Sequence, residues 1–240
     1  IDWNVTARNN DTFIKVFEEE RELTMMLIID ISGSNFFGSK SIFKNEYVTE
    51  LAATLAFSAT KNNDKVGLIL FSDNVELYIP PKKGKSHVLR IIRELLEFKS
   101  KSKKTDINVP LKFVSNILKN RSIAFIISDF ISKDYSNSLK IFSSKHDVTG
   151  IRIYDQTEEI IPNLGVIDIN DNETGQRLTV NTGSKMVRKK YAEYYNSKRM
   201  EFTENFKMSG SGIIECNTQD DYQKKLLKYF KSRWEYYLIF

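Results

Sequence analysis

Apolar residues along this chain follow two rhythms that alternate from about residue 24 to residue 154. The stretches 23–31, 65–71, 122–128 and 148–154 are short and apolar on both faces. Runs of that kind predict central strands of a sheet covered on both sides. Between them the spacing shifts to three and four. Val48, Leu51, Ala52, Leu55 and Ala59 predict a helix over 39–61, closed by Asn62-Asn63-Asp64. Val88, Leu89, Ile92, Leu95 and Leu96 predict a second over 86–98, and Ile107, Leu111, Val114 and Leu118 a third over 106–118. A short fourth helix is expected over 136–144. After the turn Ser72-Asp73-Asn74, a strand over 75–79 is expected to stop at Pro80-Pro81.

The flanks have a different texture. Residues 11–19 alternate apolar and polar around Phe13, Lys15 and Phe17, which predicts an edge strand. A charged turn over 18–22 follows. Beyond residue 160, the segments 166–169 and 178–180 frame a polar turn at 171–175 and predict a hairpin. A charged, Tyr-rich helix over 185–207, a strand over 212–215 and a helix over 219–231 complete the chain. Strand and helix alternating through 24–154 predict an α/β fold: a mostly parallel central sheet, right-handed crossovers and helices on both faces. With neither an internal repeat nor a linker, 1–240 reads as one domain. Its core is 24–155, with an antiparallel edge and helical additions over 160–240.

Bulk chemistry narrows the picture only a little. The hydrophobic and charged fractions, 41% and 28%, are ordinary for a soluble globular protein and argue against global disorder. The formal net charge of +5 permits an acidic partner without requiring one, and the lysines are scattered among acids as on a solvated face. Cys216 is the single cysteine, so no intrachain disulfide forms, which fits a reducing, cytoplasmic setting. Ile1-Asp2-Trp3-Asn4 lacks a signal peptide's basic and apolar regions, and no apolar run reaches a membrane span of roughly 20 residues.

The candidate chemistry lies where strands end. Asp30, Asp129 and Asp155 each close an expected strand, and in an open parallel sheet the carboxyl ends meet at one edge where ligands bind. Ser32 and Ser34 follow Asp30 on alternate positions. Thr105 and Asp106 open the 106–118 helix on the same edge. Asp30, Ser32, Ser34, Thr105 and Asp129 together offer two carboxylates and three hydroxyls. That donor set suits Mg²⁺ or Mn²⁺ rather than zinc, because cysteine and histidine are missing from these tips. Taken singly, the hydroxyls also suit capping of a helix start. Asp106 reads as a capping or supporting residue, Asp155 as a rim position and Asp73 as a turn residue. His87 and His146 read as ordinary surface or helix-end residues, and Tyr191, Tyr194 and Tyr195 as one packed helix face.

Asp30-x-Ser32-x-Ser34, Thr105 and Asp129 resemble the metal-ion-dependent adhesion site of von Willebrand factor A domains. Other stretches are similar to the DUF58 family of bacterial A-domain-like proteins: Ile1-Asp2-Trp3, the acidic run 18–22 with Leu23-Thr24, Val66-Gly67-Leu68, Pro80-Pro81-Lys82-Lys83-Gly84, Thr105-Asp106-Ile107 and Ser128-Asp129-Phe130. The resemblance covers most of the chain. It implies a Rossmann-like A-domain fold with Mg²⁺ at the sheet's carboxyl edge and an N-terminal truncation relative to the family. It also implies a docking role, in which an Asp or Glu of a partner completes the cation's shell. The partner it implies is a MoxR-type AAA+ ATPase, in a task of assembly or maturation. Two positions depart from the family pattern. Lys104 stands where glycine is expected before Thr105, adding positive charge beside the site, and Asn35 stands where methionine is frequent.

The function expected is therefore a non-enzymatic, metal-dependent interaction module. A Mg²⁺-dependent phosphotransferase or hydrolase is the first alternative, but its Asp-x-Asp signature would need an acid where Ser32 stands, and no base is in evidence. A nucleic-acid binder using the basic surface is the second, and it lacks an aromatic-basic reading motif.

Overall fold

The computed structural model of the chain describes residues 22–33, 44–170 and 177–237. The expected strand over 11–19, Ser34, the start of the 39–61 helix and the turn at 171–175 lie outside the described residues. In chain order the elements are β1 (Thr24–Asp30), α1 (Lys44–Lys61), β2 (Lys65–Phe71), β3 (Val75–Lys82), α2 (Lys85–Glu97) and α3 (Asn108–Ile117). Then come β4 (Ile123–Ser128), α4 (Ser136–Ser143), β5 (Asp147–Tyr154), α5 (Gln156–Glu159), β6 (Val166–Asn170) and β7 (Arg177–Asn181). The chain closes with α6 (Lys185–Met208), β8 (Gly212–Asn217) and α7 (Tyr222–Tyr237).

Among the described residues, six strands form the central sheet in the order β3-β2-β1-β4-β5-β8. All neighbours pair parallel except β3, which runs antiparallel to β2 at one edge. This is the mostly parallel α/β layout, with helices on both faces, expected from the alternation. From β1 in the middle of the sheet, the described chain builds outward on one side, then returns to build the other. The strand order therefore reverses between β1 and β4, and the crevice at their carboxyl ends is where such sheets bind ligands.

The doubly apolar strand runs are explained by two cores. On β1, Met25, Leu27 and Ile29 pack against one layer, which includes Tyr47, Val48, Leu51 and Leu55 of α1, Val88 and Ile91 of α2, and Leu226 of α7. Met26 and Ile28 face the opposite layer, with Leu111 and Val114 of α3, Leu139 and Phe142 of α4, and Phe202 and Phe206 of α6. Successive strand residues point to opposite faces, so both must be apolar when both faces are covered.

Local details differ from the sequence expectation. Strand β3 continues through Pro80 and Pro81 to Lys82 instead of ending before them. It is an edge strand, and its register to β2 shifts between Val66 and Leu68, so residues without an N–H are tolerated there. Helix α3 begins at Asn108, because Asp106 stands before the helix and its Oδ1 accepts the Asn108 N–H at 3.0 Å. Helix α7 runs six residues beyond the expected end at 231. His146 lies just past the end of α4, as a helix-end residue, but is buried rather than on the surface. The β6–β7 hairpin forms a separate two-stranded sheet. Among the described residues, no helix is long and apolar enough to cross a membrane.

Candidate metal centre

Asp30 is the last residue of β1, and its neighbour on β4 carries Ser128 and then Asp129 just past the strand end. Parallel register places Ile29 beside Ile127, so the two aspartates emerge from adjacent strands at the point where the strand order reverses. Both are buried, at 2% and 5% exposure, and Ser32 is buried with them. Asp30 Oδ1 accepts the Ser32 N–H at 2.9 Å, and Oδ2 accepts the Ser128 hydroxyl at 2.6 Å. Asp129 Oδ1 accepts the Ile131 N–H at 3.0 Å. These bonds fix both carboxylates on the tips, where side-chain freedom has already been spent on orientation.

Electrostatics at the tips disfavour an ionised Asp30. Burial, and then the facing Asp129 carboxylate, push the Asp30 carboxyl up to about 7, against the hydrogen bonds from Ser128 and Ser32. A pair of like-charged acids held out of water is relieved by a proton or by a cation.

Thr105 is half-buried in the loop between α2 and α3. Two backbone bonds tie that loop to the tips: Gly33 N–H to Lys103 O at 3.0 Å and Asp106 N–H to Ser72 O at 3.1 Å. Thr105 sits between these anchors. The lysine-rich stretch ahead of it has exposed side chains but a held backbone. Glu76 on β3 accepts the Lys101 N–H at 2.7 Å, the Ser102 N–H at 3.3 Å and the Ser100 hydroxyl at 2.9 Å. Lys104 is exposed, and its N–H donates to Ser102 Oγ at 3.3 Å. Asp155 is buried and accepts the Thr218 hydroxyl at 3.0 Å, so it ties β5 to the turn after β8. Ser34 lies outside the described residues.

Three side chains at the centre escape a reading of strand tips. Ser128 orients Asp30, as above. Lys44, the first described residue of α1, is wholly buried, with Nζ 2.9 Å from Glu158 Oε2, 3.1 Å from Glu158 Oε1 and 3.5 Å from Asp129 Oδ2. Burial works against its charge, but Asp129, Glu158 and Asp30 outweigh it and hold the ammonium above its ordinary value. Glu158 comes from α5, the short helix that follows Asp155. The rings of Tyr191 and Tyr195 of α6 lie 4.9 Å apart between centroids, tilted and half-buried, and feel the Glu158 charge. Tyr194 is exposed, so the tyrosines share a helix but not one packed face.

The residues fit a small hard cation. Two buried, mutually repelling carboxylates with hydroxyl donors alongside are oxygen ligands of the type Mg²⁺ and Mn²⁺ take. Among the described residues, no three acids, histidines or cysteines gather as a softer or more heavily charged metal site would require.

The family described as "Protein of unknown function DUF58" matches residues 1–201. An uncharacterized protein of Mycobacterium tuberculosis is 21% identical over 238 residues, spanning 97% of this chain and 74% of that protein. Among solved structures, the conserved hypothetical protein BatB of Bacteroides thetaiotaomicron superposes with a TM-score of 0.60 at 14% identity, covering 88% of this chain and 98% of BatB. An aerotolerance-related membrane protein of Bacteroides fragilis does so with a TM-score of 0.58 at 16% identity, covering 88% and 99%. At those identities the structural likeness speaks to the fold.

Proposed function

The chain belongs to the DUF58 family, and from that premise and the strand-tip geometry we propose that it is a non-enzymatic, metal-dependent protein-interaction module. The observation that carries the reading is the Asp30–Asp129 pair: two buried carboxylates on adjacent tips at the crevice of an open sheet. Asp30, Ser32, Ser34, Thr105 and Asp129 would hold Mg²⁺ or Mn²⁺. The two carboxylates balance a divalent cation and the three hydroxyls are neutral, so an octahedral cation keeps an open position that an Asp or Glu of a partner can fill. The partner proposed is a MoxR-type AAA+ ATPase. No catalysis is assigned, because Ser32 occupies the place of the second acid in an Asp-x-Asp nucleophile site.

The test is capture from the native cell with Mg²⁺ and with chelator, using the wild type and Asp30→Asn, which retains an acceptor for Ser128. An AAA+ ATPase is expected to be recovered by the wild type with Mg²⁺ alone. Equal recovery with chelator, or by Asp30→Asn, overturns the metal-bridged reading.

A further inference from the structure

Lys44 places a positive charge where the proposed cation needs to sit alone. Its ammonium is fully buried, pairs with both oxygens of Glu158 and stands 3.5 Å from Asp129 Oδ2. Asp129 is also one of the two acids proposed to hold the metal. An ammonium and a divalent cation sharing one carboxylate at such distances repel strongly in a site shielded from water. Glu158, on α5, offers the ammonium a second anchor 114 positions away in sequence.

We infer that Lys44 is a built-in counter-cation: it neutralises Asp129 in the metal-free protein and has to yield that carboxylate when a divalent cation binds, retaining Glu158. The inference rests on the proposed metal site. It makes cation affinity a quantity set by the Lys44–Glu158 pair as well as by the ligands. It also supplies a physical route from cation binding to α1 and α5, since the residue that must shift belongs to one and is held by the other.

The burial of the pair shapes the experiment. Removing Lys44 alone strands two buried carboxylates, so Lys44→Met is accompanied by the charge-balanced Lys44→Met/Glu158→Gln, with Glu158→Gln as control. Binding of Mn²⁺ is read by the loss of the free-ion electron paramagnetic resonance signal, and of Mg²⁺ by calorimetry, on proteins whose folding is checked by thermal unfolding. The lysine-free variants are expected to bind at least about tenfold more tightly than the wild type. Lys44→Arg, which keeps the charge, is expected to stay near the wild type. Binding that appears only in the lysine-free variants supports the inference equally.

Unchanged or weaker affinity in both lysine-free variants, with binding lost in Asp30→Asn, overturns the role of Lys44 and leaves the metal site standing. Equal tightening by Lys44→Arg overturns it as well, because charge would not be the cause. No binding by any of these proteins overturns both readings.

Discussion

At Gly150, in the middle of β5, an added Cβ would lie 2.5 Å from Cε1 and 2.6 Å from Cζ of Phe206, and 2.9 Å from Cε2 of Phe202. Both rings are fully buried and packed on each other at 4.8 Å. Neither can retreat, so helix α6 closes on the sheet only because this position has no side chain. Gly150→Ala is expected to destabilise by about 1–3 kcal/mol, the range for overpacking a filled core, and to lower the thermal midpoint. An unchanged midpoint would mean that α6 does not rest on β5 as described. Other single positions matter through charge. Asp30, Ser32 and Asp129 were legible in the sequence because an apolar run that ends in an acid marks a strand tip. Lys44 and Glu158 were not, since a lysine at a helix start and an acid in a short polar stretch look like solvated residues. Only the folded chain shows that the two meet in a buried ion pair.

Elements differ in how firmly they are tied to the cores. Strands β1, β2 and β4 have neighbours on both edges and helices on both faces. Among the described residues the β6–β7 hairpin pairs only with itself, and its described β7 side chains are exposed or half-buried. Its anchors are local: Thr182 Oγ1 donates to Gly165 O at 2.7 Å and accepts the Leu164 N–H at 2.9 Å. Amide protection should therefore reach its maximum in β1, β2 and β4 and be lower by orders of magnitude in β6 and β7, as measured by native-state hydrogen exchange. Comparable protection in hairpin and sheet would show that the hairpin is held by more than its own pairing. The strands of the core were readable from the sequence by their doubly apolar runs. Continuation of β3 through Pro80 and Pro81 was not, because it depends on an edge position that no single strand's sequence reveals. Helix α5, at four residues, is too short to display a period.

For the whole molecule, the buried acid at the strand tip couples stability to pH and to cation. In the unfolded chain Asp30 loses its proton near its ordinary value of 3.8, whereas burial and Asp129 hold it in the folded protein until about 7. Between those values the folded state binds more protons than the unfolded one. This group's contribution is therefore fully present below the lower value, is lost as the pH rises through the upper one, and is constant above it. A divalent cation that takes the proton's place removes the penalty. Mg²⁺ is accordingly expected to raise the thermal midpoint more at about pH 8 than at about pH 5, and in neither case for Asp30→Asn. At a free concentration a hundred times the dissociation constant, the stabilisation would be about 2.7 kcal/mol. Equal shifts at both pH values, or a shift retained by Asp30→Asn, would contradict the arrangement.

What the sequence determined by itself was the set of elements and the edge at which chemistry gathers. Strand periodicity, helical spacing and the placement of acids at strand ends are properties of short stretches, and short stretches carry them visibly. The tertiary structure alone decided what balances those acids. The charge beside Asp129 comes from Lys44 on one element and is held by Glu158 on another, and with Lys44 at 0% exposure the contact is no longer a weak surface pair but one whose loss would strand a buried charge. Lys104, the lysine next to the motif in sequence, is exposed, while Lys44 lies beneath the surface against the site. Electrostatic strength depends on distance and on exclusion of water, and neither is written along a chain.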